Sequence, residues 1–335
     1  MNIVTRSYPR AALVGNPSDG YYGKTIAFVF NNFHAEVALW ESTRLEILPN
    51  ERDKLIFASI DELVGDIGQY GYYGGVRLVK AAIKRFFEYC KAEPIKIEKR
   101  NFTLRYETTI PYGLGLAGSS AIITACIKGL MQFYGVSIPK PQLANLVLSA
   151  EKDELQIEAG LQDRVVQVYQ GLVYMDFDKA LMETRGYGIY EPLDTELLPN
   201  LYIAYRTDLA ESSEFTHNNL RERYNRGEVE VLNALTQCAE LTVQAKKLLE
   251  THQGTEIGTL LNRNFDLRRS ILKISDGNLR MVEAARSVGA SANFTGSGGA
   301  IIGTYKDDVM YESLKIRLSA IKANIIKPEI APMSG

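Results

Sequence analysis

The sequence predicts a protein of mixed strands and helices, its 335 residues long enough for two domains. Four short apolar segments, Ala11–Val14, Thr25–Phe30, Ala35–Trp40 and Leu45–Leu48, come before any long helical pattern. From Glu228 onward the pattern turns mostly helical, with amphipathic periodicity over about 229–250 and 255–272. Between these regimes Pro192–Pro199 mixes Pro, Asp, Thr and Glu between apolar segments. That places a boundary there and divides the chain into 1–191 and 192–335.

Composition narrows the function. Hydrophobic residues at 46% and charged residues at 23% give the profile of a soluble globular protein. Lys+Arg 38 against Asp+Glu 40 offers no global field for nucleic acid or a membrane surface. Cys90, Cys126 and Cys238 lie far apart, which suggests buried thiols in a reducing compartment. His34, His217 and His252 are equally scattered, and no His/Cys cluster has metal-ligand spacing. The N-terminus lacks the apolar core of a signal peptide, and no run is long enough to span a bilayer, so a cytoplasmic protein is expected.

Taken in order, the strand Ala11–Val14 runs into Gly15-Asn16-Pro17-Ser18-Asp19, a loop dense in turn residues. With Arg10 and Lys24 it holds a rich set of polar groups. A solvated turn with charged flanks and a substrate loop both account for it. The first long helix, Val76–Lys91, sets Val76, Val79, Ala82, Ile83, Phe86 and Phe87 on one face. A strand over 101–110 follows, with Phe102, Leu104 and Tyr106 alternating with Thr103 and Arg105.

Next comes Pro111-Tyr-Gly-Leu-Gly-Leu-Ala-Gly-Ser-Ser-Ala121, then an apolar helix to about Tyr134. Strand, glycine-rich turn and helix N-terminus together suit a phosphate: glycine lets backbone N–H groups approach, and the helix dipole favours an anion. Ser119 and Ser120 stand where an N-cap hydroxyl would sit, or where a hydroxyl could reach a phosphate or its magnesium ion. A tight turn with a serine cap is the alternative. Gly113 and Gly118 have Walker A spacing, but Ser119 occupies the lysine position, so other groups must meet the phosphate charge.

Pro139 and Pro141 break the chain before a helix over Gln142–Asp153. Glu151 sits on that helix, and Asp163 follows the turn Ala159-Gly160 beside Arg164. Each carboxylate is a candidate base or metal ligand, with an acidic surface connection as the alternative. Val165–Tyr169 reads as a short helix, and Gly171–Phe177 and Leu201–Tyr205 as strands. A helix at 278–288 leads to a strand, a turn with Gly296, Gly298 and Gly299, and a second strand. A dinucleotide fingerprint would enter a helix, which argues against a Rossmann fold.

In this order the motifs resemble those of the GHMP small-molecule kinases. Arg10–Gly23 is similar to the family's first motif, Pro111–Ala121 to its phosphate loop, and Thr295–Ala300 to its third. Gly15–Asp19, Tyr72–Leu78, Leu148–Lys152, Ala159–Arg164 and Phe294–Ala300 resemble glucuronokinase runs more specifically. The resemblance implies a two-domain α+β fold, with an N-terminal domain like ribosomal protein S5 domain two and a ferredoxin-like C-terminal domain. It implies a kinase that uses ATP and Mg2+ on a sugar, for a glucuronokinase the anomeric hydroxyl of D-glucuronate.

By motif position, the resemblance implies Asp163 as catalytic aspartate and Arg10 as its partner and that of the γ-phosphate. Ser120 and Glu151 match the magnesium ligands. Asp19 matches the residue that holds sugar hydroxyls, with Asn16, Gln162, Gly296 and Gly298 as further substrate contacts. Pro111, Gly113, Gly115, Leu116, Ala117, Gly118, Ser119, Ser120 and Ala121 make the phosphate cradle. The family's usual Gly-Leu-(Gly/Ser)-Ser-Ser reads Gly-Leu-Ala-Gly-Ser-Ser here, and this extra residue leaves either serine to face the metal. Asn16-Pro17 replaces a common Glu-His. Arg164, Arg77 and Lys24 are candidates for a substrate carboxylate. A kinase for another sugar, and a silent sugar- or nucleotide-binding sensor, are the alternative readings.

Overall fold

The computed structural model describes residues 2–50, 53, 56–70, 74–209 and 220–330. Tyr72, Tyr73 and His217 lie outside them. The strands are β1 (Asn2–Ser7), β2 (Arg10–Val14), β3 (Lys24–Val29), β4 (Ala35–Ser42), β5 (Glu46–Leu48) and β6 (Asn101–Thr108). They continue with β7 (Leu172–Asp176), β8 (Ile189–Leu193), β9 (Leu201–Tyr205), β10 (Asn293–Phe294), β11 (Ala300–Thr304) and β12 (Asn324–Ile326). The helices are α1 (Ile60–Tyr70), α2 (Gly75–Ala92), α3 (Gly118–Tyr134), α4 (Lys140–Ser149) and α5 (Leu161–Tyr169). After them come α6 (Lys179–Arg185), α7 (Val229–Glu250), α8 (Ile257–Ile271), α9 (Asp276–Arg286) and α10 (Asp308–Ser319).

The chain forms two compact units. One gathers Met1–Tyr8, Phe33–Tyr112 and Gly118–Ala159, the other Pro9–Asn32, Gly113–Ala117 and Gly160–Gly335. These units cut the chain elsewhere than the linear division at 191/192. The sheets follow the linear division more closely: no described sheet joins strands from either side of 194–200. Pro192 itself lies in β8, an edge strand, where its missing N–H does no harm.

In the first unit, β1-β4-β6-β5 form a sheet, antiparallel except for the β5/β6 pair. On β6, Phe102, Leu104 and Tyr106 are buried and Arg105 faces out, as the alternation predicts. Strand β1 also alternates, but two of its inward residues are Thr5 and Ser7, so apolar patterning misses it. The Thr5 hydroxyl donates to the Ala125 carbonyl of α3 at 2.8 Å, which satisfies it. Helix α3 is buried almost all round, as its continuous apolar run requires.

Helix α2 buries Leu78, Val79, Ala82, Phe86 and Cys90, but Phe87 is exposed under the Lys91 ammonium, 4.5 Å from its ring centre. The expected face is thus rotated: the buried row follows 78, 82 and 86, and Phe87 falls beside it. The expected helix Gln142–Asp153 is α4 followed by a π-helical turn, Ala150–Glu154. Such turns are uncommon and recur at functional sites.

In the second unit, two antiparallel sheets run in the orders β2-β3-β7-β8 and β10-β11-β9-β12. Phe265, Met281, Phe294, Ile301, Leu314 and Leu318 build the core on the latter. All three cysteines are free and buried. Among the described residues no helix is long and apolar enough to cross a membrane.

Gly15 ends β2 at φ +99°, where a Cβ would collide with the Lys24 carbonyl and the Thr242 hydroxyl. Gly15→Ala is expected to destabilise the protein by about 2 kcal/mol or more, read as a lower urea midpoint.

Candidate active site

Arg10 opens β2, is 5% exposed, and joins sequence clusters that lie far apart. Its Nε donates to Asp163 Oδ1 at 2.5 Å, and its Nη1 donates to the Gly115 carbonyl at 2.7 Å and the Thr295 carbonyl at 2.5 Å. Its backbone N–H donates to the Leu116 carbonyl at 3.1 Å. Asp163 stands in the first turn of α5, where the helix dipole favours a carboxylate. Arg164 Nη1 donates to Asp163 Oδ2 at 3.2 Å and to the Gly160 carbonyl at 2.7 Å. Burial alone would push the Asp163 carboxyl up. The Arg10 and Arg164 guanidiniums and hydrogen bonds from Arg10 and Gln162 outweigh burial and hold it below the usual carboxylate range.

The glycine loop has a matching geometry. Gly113, Gly115 and Ala117 have φ of +70°, +60° and +60°, and Leu114 and Leu116 between them do not share the positive sign. Alternation of this kind lines successive N–H groups around one concavity, an anion-binding nest. The carbonyls of Gly115 and Leu116 are taken by Arg10, and that of Ala117 by Gln167 Nε2 at 2.9 Å. These bonds turn three successive carbonyls into the protein. The third motif closes against the loop: a Cβ on Gly115 would lie 2.7 Å from Ser297 N, and one on Gly296 2.7 Å from Arg10 Nη1.

Asp19 lies in the turn Ser18–Tyr21, half-buried, and a Cβ on Gly160 would come within 3.0 Å of its Oδ2. Burial pushes its carboxyl up to about 6, the Asp163 carboxylate adds to this, and Arg10 opposes it. Asn16 accepts a bond on Oδ1 from Arg268 Nη1 at 2.7 Å. Gln162 is buried on α5, and its Oε1 has no hydrogen-bond partner among the described residues. Of the other expected residues, Pro111, Gly118, Ser119, Ser120, Ala121 and Glu151 belong to the other compact unit. There Ser119 is exposed, Ser120 is fully buried in α3, and Glu151 is 1% exposed in the π-turn.

Comparison with known proteins gives the family. Residues 77–171 match the GHMP kinases N terminal domain. The chain is 45% identical over 304 residues to "Probable glucuronokinase 2" of Arabidopsis thaliana, covering 89% of this chain and 82% of that protein. It is 43% identical over 306 residues to "Glucuronokinase 1" of the same plant, covering 90% and 84%. The chain belongs to the glucuronokinases of the GHMP kinase family. The galactokinase of Lactococcus lactis, solved with galactose, shares the α+β fold at a TM-score of 0.78 and 16% identity, covering 100% of this chain and 95% of that one. GHMP kinases use ATP as phosphate donor.

Sequence reasoning missed Asn264 and Arg268 of this glucuronokinase-family site. Asn264 Oδ1 accepts from Gly15 N at 2.6 Å, and its Nδ2 donates to the Asn16 carbonyl at 2.8 Å. Arg268 Nη1 also donates to the Gly296 carbonyl at 2.7 Å, and Nη2 to that of Ser297 at 3.2 Å. Arg268 ties the first motif to the third, and Asn264 holds the first. The available signal was their i, i+4 spacing on the buried face of α8, where apolar residues are expected.

Raising the Asp19 pKa from 3.8 to about 6 means that the ionised form costs the fold up to about 3 kcal/mol above pH 6. The penalty fades as pH falls through about 6 and is absent below about 4. Asp19→Asn is therefore expected to stabilise the protein above about pH 6, with the gain gone near pH 4, in urea unfolding across that range.

Proposed function

We propose that the protein transfers the γ-phosphoryl group of ATP to the anomeric hydroxyl of D-glucuronate, giving glucuronate 1-phosphate and ADP. The observation that carries this reading is the Arg10 guanidinium, which bonds Asp163 and the glycine loop at once. The substrate is supported by the glucuronokinase relatives. In the reaction the hydroxyl oxygen bonds to the γ-phosphorus, the bond to the bridging oxygen breaks, and the hydroxyl proton leaves. Phosphoryl transfer needs positioning and charge neutralisation more than covalent help. Arg10 and the loop amides supply positive charge that a Walker lysine would otherwise provide.

Asp163 faces the reacting hydroxyl in this reading. A carboxylate held below its usual range is a weak base. Its part is to orient the hydroxyl and accept the proton late, when that oxygen has already become acidic. Asp19 and Gln162 bind sugar hydroxyls, and the backbone at Gly296 and Gly298 completes the substrate contacts. Asn16, whose amide is held by Arg268, shapes the loop.

Ser120 and Glu151 are the proposed magnesium ligands, on oxygen chemistry that suits this ion. Among the described residues no group of three or more His, Cys, Asp and Glu could hold a metal, which fits an ion held by one carboxylate and substrate phosphates. When bound, magnesium supplies positive charge to the phosphate oxygens. Ser119, exposed at the start of α3, belongs to the phosphate cradle in this reading. The partition of the sheets supports 1–191 and 192–335 as the N- and C-terminal domains. The free, buried cysteines support a reducing, cytoplasmic setting.

Purified protein with Mg-ATP and glucuronate is expected to form ADP and a sugar 1-phosphate. In a panel of hexuronates, hexoses and mevalonate, another substrate preferred by about tenfold in kcat/KM would overturn the specificity. Asp163→Asn is expected to lower kcat at least about 100-fold while the KM for ATP changes less than about threefold. Near-normal turnover would remove Asp163 from the mechanism.

A further inference from the structure

The proposed substrate is an anion, and the turn that would receive it already carries Asp19 close to Asp163. A third carboxylate there needs a cation with donors to spare. The three basic residues singled out from the sequence do not serve. Arg164 is buried and bonded to Asp163 and the Gly160 carbonyl. Lys24 is ion-paired with Asp176. Arg77 Nη2 donates to the Leu155 carbonyl at 3.5 Å. Arg10 and Arg268 are occupied by the carboxylate, amide and carbonyl oxygens described above.

Arg221 differs from all of these. Its guanidinium carbon lies 4.3 Å from the centre of the Tyr21 ring, two residues from Asp19 in the same turn. Its Nη2 is 3.6 Å from where a Cβ on Gly20 would be, so the residue between Asp19 and Tyr21 leaves that approach open. Tyr21 is buried and packs on Tyr224 with ring centres 4.7 Å apart, which fixes the surface on which the guanidinium lies. No ion pair is formed by Arg221 among the described residues. A guanidinium lying over a ring keeps its edge N–H groups available, and two parallel N–H donors match the two oxygens of a carboxylate.

We infer that Arg221, held on Tyr21 beside Asp19, binds the carboxylate of the sugar acid and makes the enzyme prefer it to the neutral sugar. This assignment rests on the glucuronate reading. In it, Asp19 takes a hydroxyl of the sugar ring while Arg221 takes the carboxylate at C5. Glucose carries a hydroxymethyl group in place of that carboxylate and gains nothing from the guanidinium.

The experiment compares the full-length wild type with Arg221→Gln and Arg221→Lys, measuring kcat and KM for glucuronate, glucose and ATP. Arg221→Gln is expected to raise the KM for glucuronate at least about tenfold, with kcat and the KM for ATP within about twofold. The KM for glucose stays unchanged, so the preference for the acid falls by the same factor. Arg221→Lys gives an intermediate KM, because the charge remains and the two-pronged geometry is lost. A wild type that prefers glucuronate, with an Arg221→Gln variant that keeps that preference and its ATP KM, overturns the assignment alone. A wild type that phosphorylates no sugar acid overturns the glucuronate reading, and the assignment with it.

Discussion

The ion pair between Arg10 and Asp163 is the constraint on which the second compact unit depends. Both partners are largely buried, with side chains 6% and 17% exposed, so neither charge is left to water. Removing one partner of such a pair strands the other, at a cost of about 3–5 kcal/mol. The pair also has geometric consequences. The same guanidinium reaches the Gly115 and Thr295 carbonyls, so one side chain sets the first motif, the glycine loop and the third motif in register. Arg10 cannot be exchanged for lysine on these grounds, since a single ammonium has no planar fork to span these acceptors.

The site separates two carboxylates by environment. Asp163 sits between two guanidiniums and at a helix N-terminus, and is held in its charged form. Asp19 is penalised by burial and by Asp163, and its pKa rises to about 6. Titratable groups pushed in opposite directions within one site mark chemistry more often than structure. The division suits the proposed kinase reaction, in which Asp163 would face the reacting hydroxyl and Asp19 would bind sugar hydroxyls.

The glycine loop has the backbone of an anion-binding nest and carries no lysine. Its positive φ values at 113, 115 and 117 aim amides, and the bonds to Arg10 and Gln167 hold the carbonyls away. Ala117 is the unusual member, because a left-handed φ of +60° costs any residue with a Cβ about 1 kcal/mol. It lies just before Gly118-Ser119-Ser120, in the stretch that is one residue longer than the family's usual loop.

Much of this was legible in the chain. Alternation on β6, the apolar run of α3 and the strand at β9 are local patterns, and local sterics and burial fix them. The ordered motifs at Arg10, Gly113–Ser120, Asp163 and Thr295–Gly299 pointed to the family that the relatives show. Features that depend on partners distant in sequence were not legible. Strand β1 hides behind inward Thr5 and Ser7, and the Thr5 hydroxyl is met by the Ala125 carbonyl of α3, 120 positions away. Arg268 and Asn264 look like ordinary polar helix residues until α8 meets the Asn16 loop. Arg221 is unremarkable in sequence and acquires meaning by lying over Tyr21, 200 residues before it in the chain. The sequence by itself determined the locally patterned elements and the family motifs, because propensity and motif spacing act over a few residues. Only the tertiary structure decided which charges are satisfied and which remain for a substrate, because that depends on contacts between residues hundreds of positions apart.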